Sequence, residues 1–131
     1  MYDITKKKIV LFYQFINNML TDKDYCDYEL RLGLRDIGYP MCTCQINDGP
    51  IQMPKITLYE AQKFLREEKG VIVEVFVDDD SDTPITYNIH KDGECVCHHH
   101  GKYWSVKEWN VALSECIKEA VKILKENQDE R

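Results

Sequence analysis

Val71-Ile-Val-Glu-Val-Phe-Val77 is the stretch that most limits what this chain can become. Valines stand at every odd position, with Ile72 and Phe76 between them, and such stiff β-branched and aromatic side chains crowd a helix but suit a pleated strand. Gly70 precedes the run and the acidic segment from Asp78 to Pro84 breaks it, so it reads as one strand, apolar on one face and mostly covered on the other. Ile85, Tyr87 and Ile89 then alternate with Thr86, Asn88 and His90. Lys91-Asp-Gly-Glu94 is a tight-turn signature, and Glu94 to about His99 is the returning strand. Ser105-Val-Lys-Glu108 is a capping box in front of Trp109, Ala112, Leu113, Cys116, Ile117, Ala120, Val121 and Leu124, an apolar stripe that predicts a long helix. Residues 70–124 are therefore a strand, a hairpin and a closing helix around which the rest is organised.

The upstream chain reads as cover and lead-in. Ile4, Ile9, Val10, Phe12, Phe15, Ile16, Met19 and Leu20 recur at helical spacing, with Lys6, Lys7 and Lys8 outside the stripe, which predicts a first helix. Thr21-Asp-Lys-Asp24 resembles a capping box, and Cys26, Leu30, Leu34 and Ile37 follow on one face until Gly38 and Pro40 stop a second helix. Met41 to Ile46 is β-compatible and ends at the Asn47-Asp-Gly-Pro50 turn signal. Thr57-Leu-Tyr-Glu60 caps a helix carrying Ala61, Phe64 and Leu65, which Gly70 ends. The order is α-α-(β)-α-β-β-β-α, an α+β fold with a small antiparallel sheet of three or four strands and helices packed on one face. It is read as a single domain over 1–131, with a helical lead-in to residue 38, a core from 57 to 124 and a frayed tail from 125 to 131.

Length and charge narrow the function classes. A chain of 131 residues can bury one core without staples. A net charge of −6 disfavours nonspecific attraction to nucleic acid and favours a basic partner. No secretory leader or membrane-length apolar run is visible, so a cytoplasmic protein is expected, with its six cysteines reduced.

Two groups of residues invite a chemical reading. Cys42 and Cys44, with Cys95, Cys97 and His99, have the donor atoms for tetrahedral zinc, since residues two apart on a strand share a face. The alternative is that these thiols pack as small apolar groups, because free cysteine is among the most buried residue types. A Cys-His nucleophile pair would need a base and an orienting group that spacing does not supply. Asp78, Asp80 and Asp82, with Asp79 between the first two, have the opening spacing of a calcium loop at the first, third and fifth positions, but Thr83 stands where the turn glycine belongs and Ile89 where the bidentate glutamate belongs, so the pattern fails. The loop is then either a solvated acidic run or a contact for a basic partner. Tyr103 and Trp104 either anchor a partner or cover the sheet end. No phosphate loop, zinc-protease helix or nucleophile elbow is present, and no catalytic residue is assigned.

The succession Asp27-Tyr-Glu-Leu, Gly38-Tyr-Pro-Met-Cys42, Thr57-Leu-Tyr-Glu-Ala-Gln-Lys-Phe-Leu-Arg-Glu-Glu-Lys69 and Tyr103-Trp-Ser-Val-Lys-Glu-Trp-Asn-Val-Ala112 resembles small accessory proteins of bacteriophages and gut bacteria. Their shared pattern is a helix, a hairpin and a second helix, and it spans residues 27–124. The resemblance implies a phage or mobile-element accessory protein with no established reaction. With the acidic, motif-poor composition, the expected function is a non-catalytic accessory or anti-defence factor that binds a host or defence-system protein through an acidic or aromatic surface; a small signalling molecule is the other ligand class and would need the pocket of a homo-oligomer. A small zinc-binding domain, structural rather than hydrolytic, is the alternative from a different class.

Overall fold

The computed structural model describes Lys8 and residues 20–78, 85–98 and 104–129. The helix expected from Ile4 to Leu20 lies outside these residues except for Lys8 and Leu20, as do Asp79, Asp80, Asp82, His99 and Tyr103. Among the described residues there are three α-helices, α1 (Tyr28–Asp36), α2 (Leu58–Lys69) and α3 (Trp109–Asp129). Three strands, β1 (Val71–Val77), β2 (Ile85–Lys91) and β3 (Glu94–His98), form one antiparallel meander in the order β1-β2-β3. The α+β class therefore holds, with the helices on one face of the sheet.

That face is set by alternation. Val71, Val73, Ile85, Tyr87 and Ile89 point into the core, and α3 lies across them. Helix α3 is buried on two sides. Its small Cys116 sits against the sheet, with Sγ 3.8 Å from the Asn88 carbonyl, while Leu113 and Val121 face the other helices. Small groups let a helix approach a sheet closely, and the larger ones fill the space toward α1 and α2. The opposite face of β1 departs from expectation. Ile72 is 51 % exposed and Glu74 is also exposed, so the second face is open at these positions rather than covered.

Local signals account for the element ends. In the α2 box the Glu60 amide donates to Thr57 Oγ1 at 3.0 Å and the Thr57 amide donates to the Glu60 carboxylate at 3.3 Å. Thr21 and Asp24 also make a capping box, but it closes only a 3₁₀ turn, Asp22–Asp24. The chain then extends through Tyr25, which bridges Thr57, and α1 starts anew at Asp27, whose Oδ1 accepts from the Leu30 amide at 2.8 Å. The second predicted helix is thus split, and Cys26 is buried in the extended link. Met41 to Ile46 is likewise no strand. It contributes only the Cys44–Gln52 bridge around a turn in which Asn47 and Asp48 have φ of 51° and 61°; Pro50 and Pro54, on either side of Gln52, have no N–H to extend that pairing into a ladder.

The β2–β3 turn carries Asp92 and Gly93 with φ of 52° and 86°, the primed geometry that matches strand twist. A Cβ added at Gly93 meets nothing within 4 Å, so Gly93→Ala isolates backbone strain. Its expected cost is about 1–2 kcal/mol, read by urea denaturation. A change below a few tenths would mean that the turn relaxes freely.

Candidate functional site

β3 holds a bulge that redirects two of the sequence-predicted metal ligands. Cys97 pairs with Ile89 and Cys95 pairs with His90, so Val96 is an extra residue and the usual alternation is broken. Paired residues share a face, and neighbours on β2 do not. Cys97 therefore lies with Ile89 on the helix side, packed against the core, and exposed Cys95 lies with His90 on the open side. The expectation that the two thiols project together fails for this reason. Burial, with Glu119 and Cys95 nearby, pushes the Cys97 thiol above its ordinary range. Burial also raises Cys26 and Cys116 to about 12, which makes them inert core thiols. Cys42 and Cys44 are exposed on the bridged loop. Among the described residues no three His, Cys, Asp or Glu side chains are placed to hold a metal ion.

On the open side of the sheet His98 Nδ1 contacts Asn88 Oδ1 and stacks on Phe76, with ring centroids 6.3 Å apart. Trp104 is not on the surface. It is 3 % exposed, bridges Ile85 through its backbone and packs on Tyr87 with centroids 5.9 Å apart, so it covers the sheet end instead of anchoring a partner. Asp78 is half-buried at the end of β1.

A groove of about 710 Å³ lies between α1 and α3. Leu30, Gly33, Tyr87 and Val121 line it, and Gly33 lets the helices touch: a Cβ there would sit 2.9 Å from Val121 Cγ1. Ion pairs hold the two walls together. Lys118 Nζ donates to Asp27 Oδ2 at 2.7 Å, and Lys125 Nζ donates to Asp36 Oδ2 at 3.2 Å. Beyond the first pair, Asn110 Nδ2 donates to Asp24 Oδ1 at 2.8 Å. On α3, Glu115, Glu119, Lys122 and Glu126 follow steps of four, three and four, so they form one stripe along the groove. Five carboxylates and three lysines line the groove altogether. Lys118 and Lys125 are engaged by α1 and its cap, whereas Glu115, Glu119 and Glu126 make no ion pair with a described residue.

The clamping carboxylates titrate low. The Thr21 amide holds Asp24 below its ordinary range; burial opposes it, and the weaker hydrogen bonds from Asn110 and the Thr21 hydroxyl lower it further. Burial pushes Asp27 and Asp36 upward, but hydrogen bonds and charge from Lys118 and from Lys125 with Arg35 outweigh it. Because the folded values lie below the unfolded ones, their stabilisation is complete above the ordinary carboxylate range near about pH 4. It is lost as pH falls through the depressed folded values. The urea midpoint is expected to hold between pH 7 and pH 5 and to drop below about pH 4, with Asp27→Asn removing part of that drop. An acid loss of equal size in Asp27→Asn would discount the Lys118 pair.

Sequence reasoning missed this groove. The stripe on α3 was visible as periodic charge, and glycine in the middle of α1 was a sign of close packing, since it costs roughly 1 kcal/mol there against alanine. What the sequence did not pair was one wall with the other. No helix among the described residues is long and apolar enough to cross a membrane. Comparisons with protein-family models, with curated proteins and with solved structures find no match.

Proposed function

We propose that the chain is a non-catalytic binding module that receives a basic segment of a protein partner in the α1–α3 groove. The observation that carries this reading is the acidic lining of the groove: five carboxylates stand against three lysines, two of which α1 and its cap already engage, and Glu115, Glu119 and Glu126 make no ion pair with a described residue. A basic segment satisfies them, while the phosphates of a nucleotide-like signalling molecule would be repelled, so a protein partner is favoured over a small anionic ligand. The setting of a phage accessory or anti-defence factor rests on the resemblance of the sequence alone.

A lysine- and arginine-rich peptide serves as probe in fluorescence anisotropy. Neutralising Glu115, Glu119 and Glu126 to glutamine removes three partly solvated charge contacts, each worth about 0.2–1 kcal/mol, so affinity falls by about tenfold. Glu67→Gln, Glu68→Gln and Glu94→Gln together make the same change in net charge away from the groove and leave most of the affinity intact. Equal loss in both variants would reduce the effect to overall charge and overturn the reading.

A further inference from the structure

The two walls of the α1–α3 groove share a direction and a repeat. Asp27 meets Lys118, Gly33 approaches Val121 and Asp36 meets Lys125, so the contacts advance together along both helices. Helices α1 and α3 therefore run side by side in the same sense for the length of α1. Lys118, Val121 and Lys125, three and four apart, are the row of α3 that faces α1. Glu115, Glu119, Lys122 and Glu126 form the next row outward, and at 100° per residue they fall within about 60° of one another around the axis. On α1, Glu29, half-buried Leu32 and Asp36 repeat the three-and-four spacing along the other lip.

This repeat selects the conformation of an occupant. Both walls are helices whose backbone groups bond within the helix, so the groove offers an extended segment no ladder to join. The charge spacing disfavours a strand as well. Along α3, Glu119 and Glu126 lie roughly 6 and 16.5 Å from Glu115 at 1.5 Å per residue. Side chains on one face of a strand recur every 6.6 Å or so, which places Glu126 midway between the third and the fourth of them. A helix supplies its own backbone bonds and presents side chains at the same three-and-four repeat as the walls. Lying roughly 8–10 Å from each axis, it fits along two near-parallel neighbours as a third helix. Carboxylates on both lips complement a basic face on it.

We propose that the partner's basic segment binds as an amphipathic helix lying along α1 and α3, with its lysines and arginines in one row at three-and-four spacing against Glu115, Glu119 and Glu126. The inference rests on the reading of the groove as a site for a basic protein segment, and adds the conformation and charge pattern of that segment. A basic segment whose charges are spread round the helix sets only part of them against the acidic row and turns the rest to water.

Two hydrocarbon-stapled helical peptides of identical composition test it by fluorescence anisotropy against the full chain. One carries its lysines in a single row at i, i+4, i+7 and i+11, and the other spreads the same lysines evenly round the helix. The row peptide is expected to bind at least about fivefold tighter at low salt. Its unstapled form with a central proline is expected to fall to the level of the spread peptide, because the break destroys the row. The Glu115→Gln/Glu119→Gln/Glu126→Gln variant is expected to abolish the preference for the row peptide. Equal affinity of the two stapled peptides overturns the proposal, and so does full retention of affinity by the proline form. If the equal affinities fall together in the triple variant, the groove still takes a basic segment and only the helix is refuted. If neither peptide responds to the triple variant, the reading of the groove fails with it.

Discussion

Alanine at Trp104 is expected to lower the unfolding free energy by about 3–5 kcal/mol, a large part of the roughly 5–15 kcal/mol that holds a small domain together. The ring is 3 % exposed and lies on Tyr87 at an interplanar angle of 30°. Its backbone pairs with Ile85, so the residue ties the end of β2 to the start of α3. Removing the indole leaves a cavity between elements already fixed on both sides, and such a site collapses poorly. Trp104→Phe, which keeps one ring, is expected to lose less than half as much. Urea denaturation followed by circular dichroism measures both, since fluorescence would be confounded by the deletion. If Trp104 were a surface anchor, as its sequence position next to Tyr103 allowed, Trp104→Ala would stay within about 0.5 kcal/mol of the wild type. That result would return it to the partner-binding role.

Features written in neighbouring residues were legible in the sequence. Thr57 with Glu60, Asp92 with Gly93, and the alternation from Ile85 to Ile89 each settle a cap, a turn or a strand through contacts a few positions apart. The same reasoning overreached where a local signal was true but short-lived. Thr21 and Asp24 do form their box, yet the helix it announces stops after one turn because Tyr25 is drawn into a bridge with Thr57. Long-range pairing was not legible at all. The extra residue at Val96 exists only relative to β2, and no periodicity within β3 reveals it, although it decides that Cys95 and Cys97 part company. The groove illustrates the same limit. Asn110 meets Asp24 across 86 positions, and Lys118 meets Asp27 across 91. A charged residue on a helix face has many possible partners, and sequence separation carries no information about which one is chosen.

Leucine at Gly33 is expected to destabilise the protein by about 2–3 kcal/mol, despite being a better helix former. Two effects compete. Intrinsic propensity favours leucine over glycine by roughly 1 kcal/mol inside α1. Packing opposes it, because a Cβ alone already lies 2.9 Å from Val121 Cγ1 and leucine adds three further carbons in the same direction. Val121 is buried, so displacing it disturbs the packing around it. Helix α1 is also held against α3 by the Asp27–Lys118 and Asp36–Lys125 pairs and by the buried Leu30 and Leu34. Packing therefore wins, and the melting temperature is expected to fall on the order of 10 °C. Val121→Ala alone costs about 1–2 kcal/mol through lost burial and a small cavity. Combined with Gly33→Leu it makes room for the new side chain, so the double variant loses at least about 1 kcal/mol less than the two single losses added together. Additivity within about 0.5 kcal/mol would mean that the two residues do not share the contact. The same contact sets how far the α1 carboxylates Glu29 and Asp36 stand from the Glu115–Glu126 stripe. Gly33→Leu thus separates the walls without altering a single charge, and its effect on capture of the basic peptide tells whether recognition depends on groove width or only on the sign of its surface.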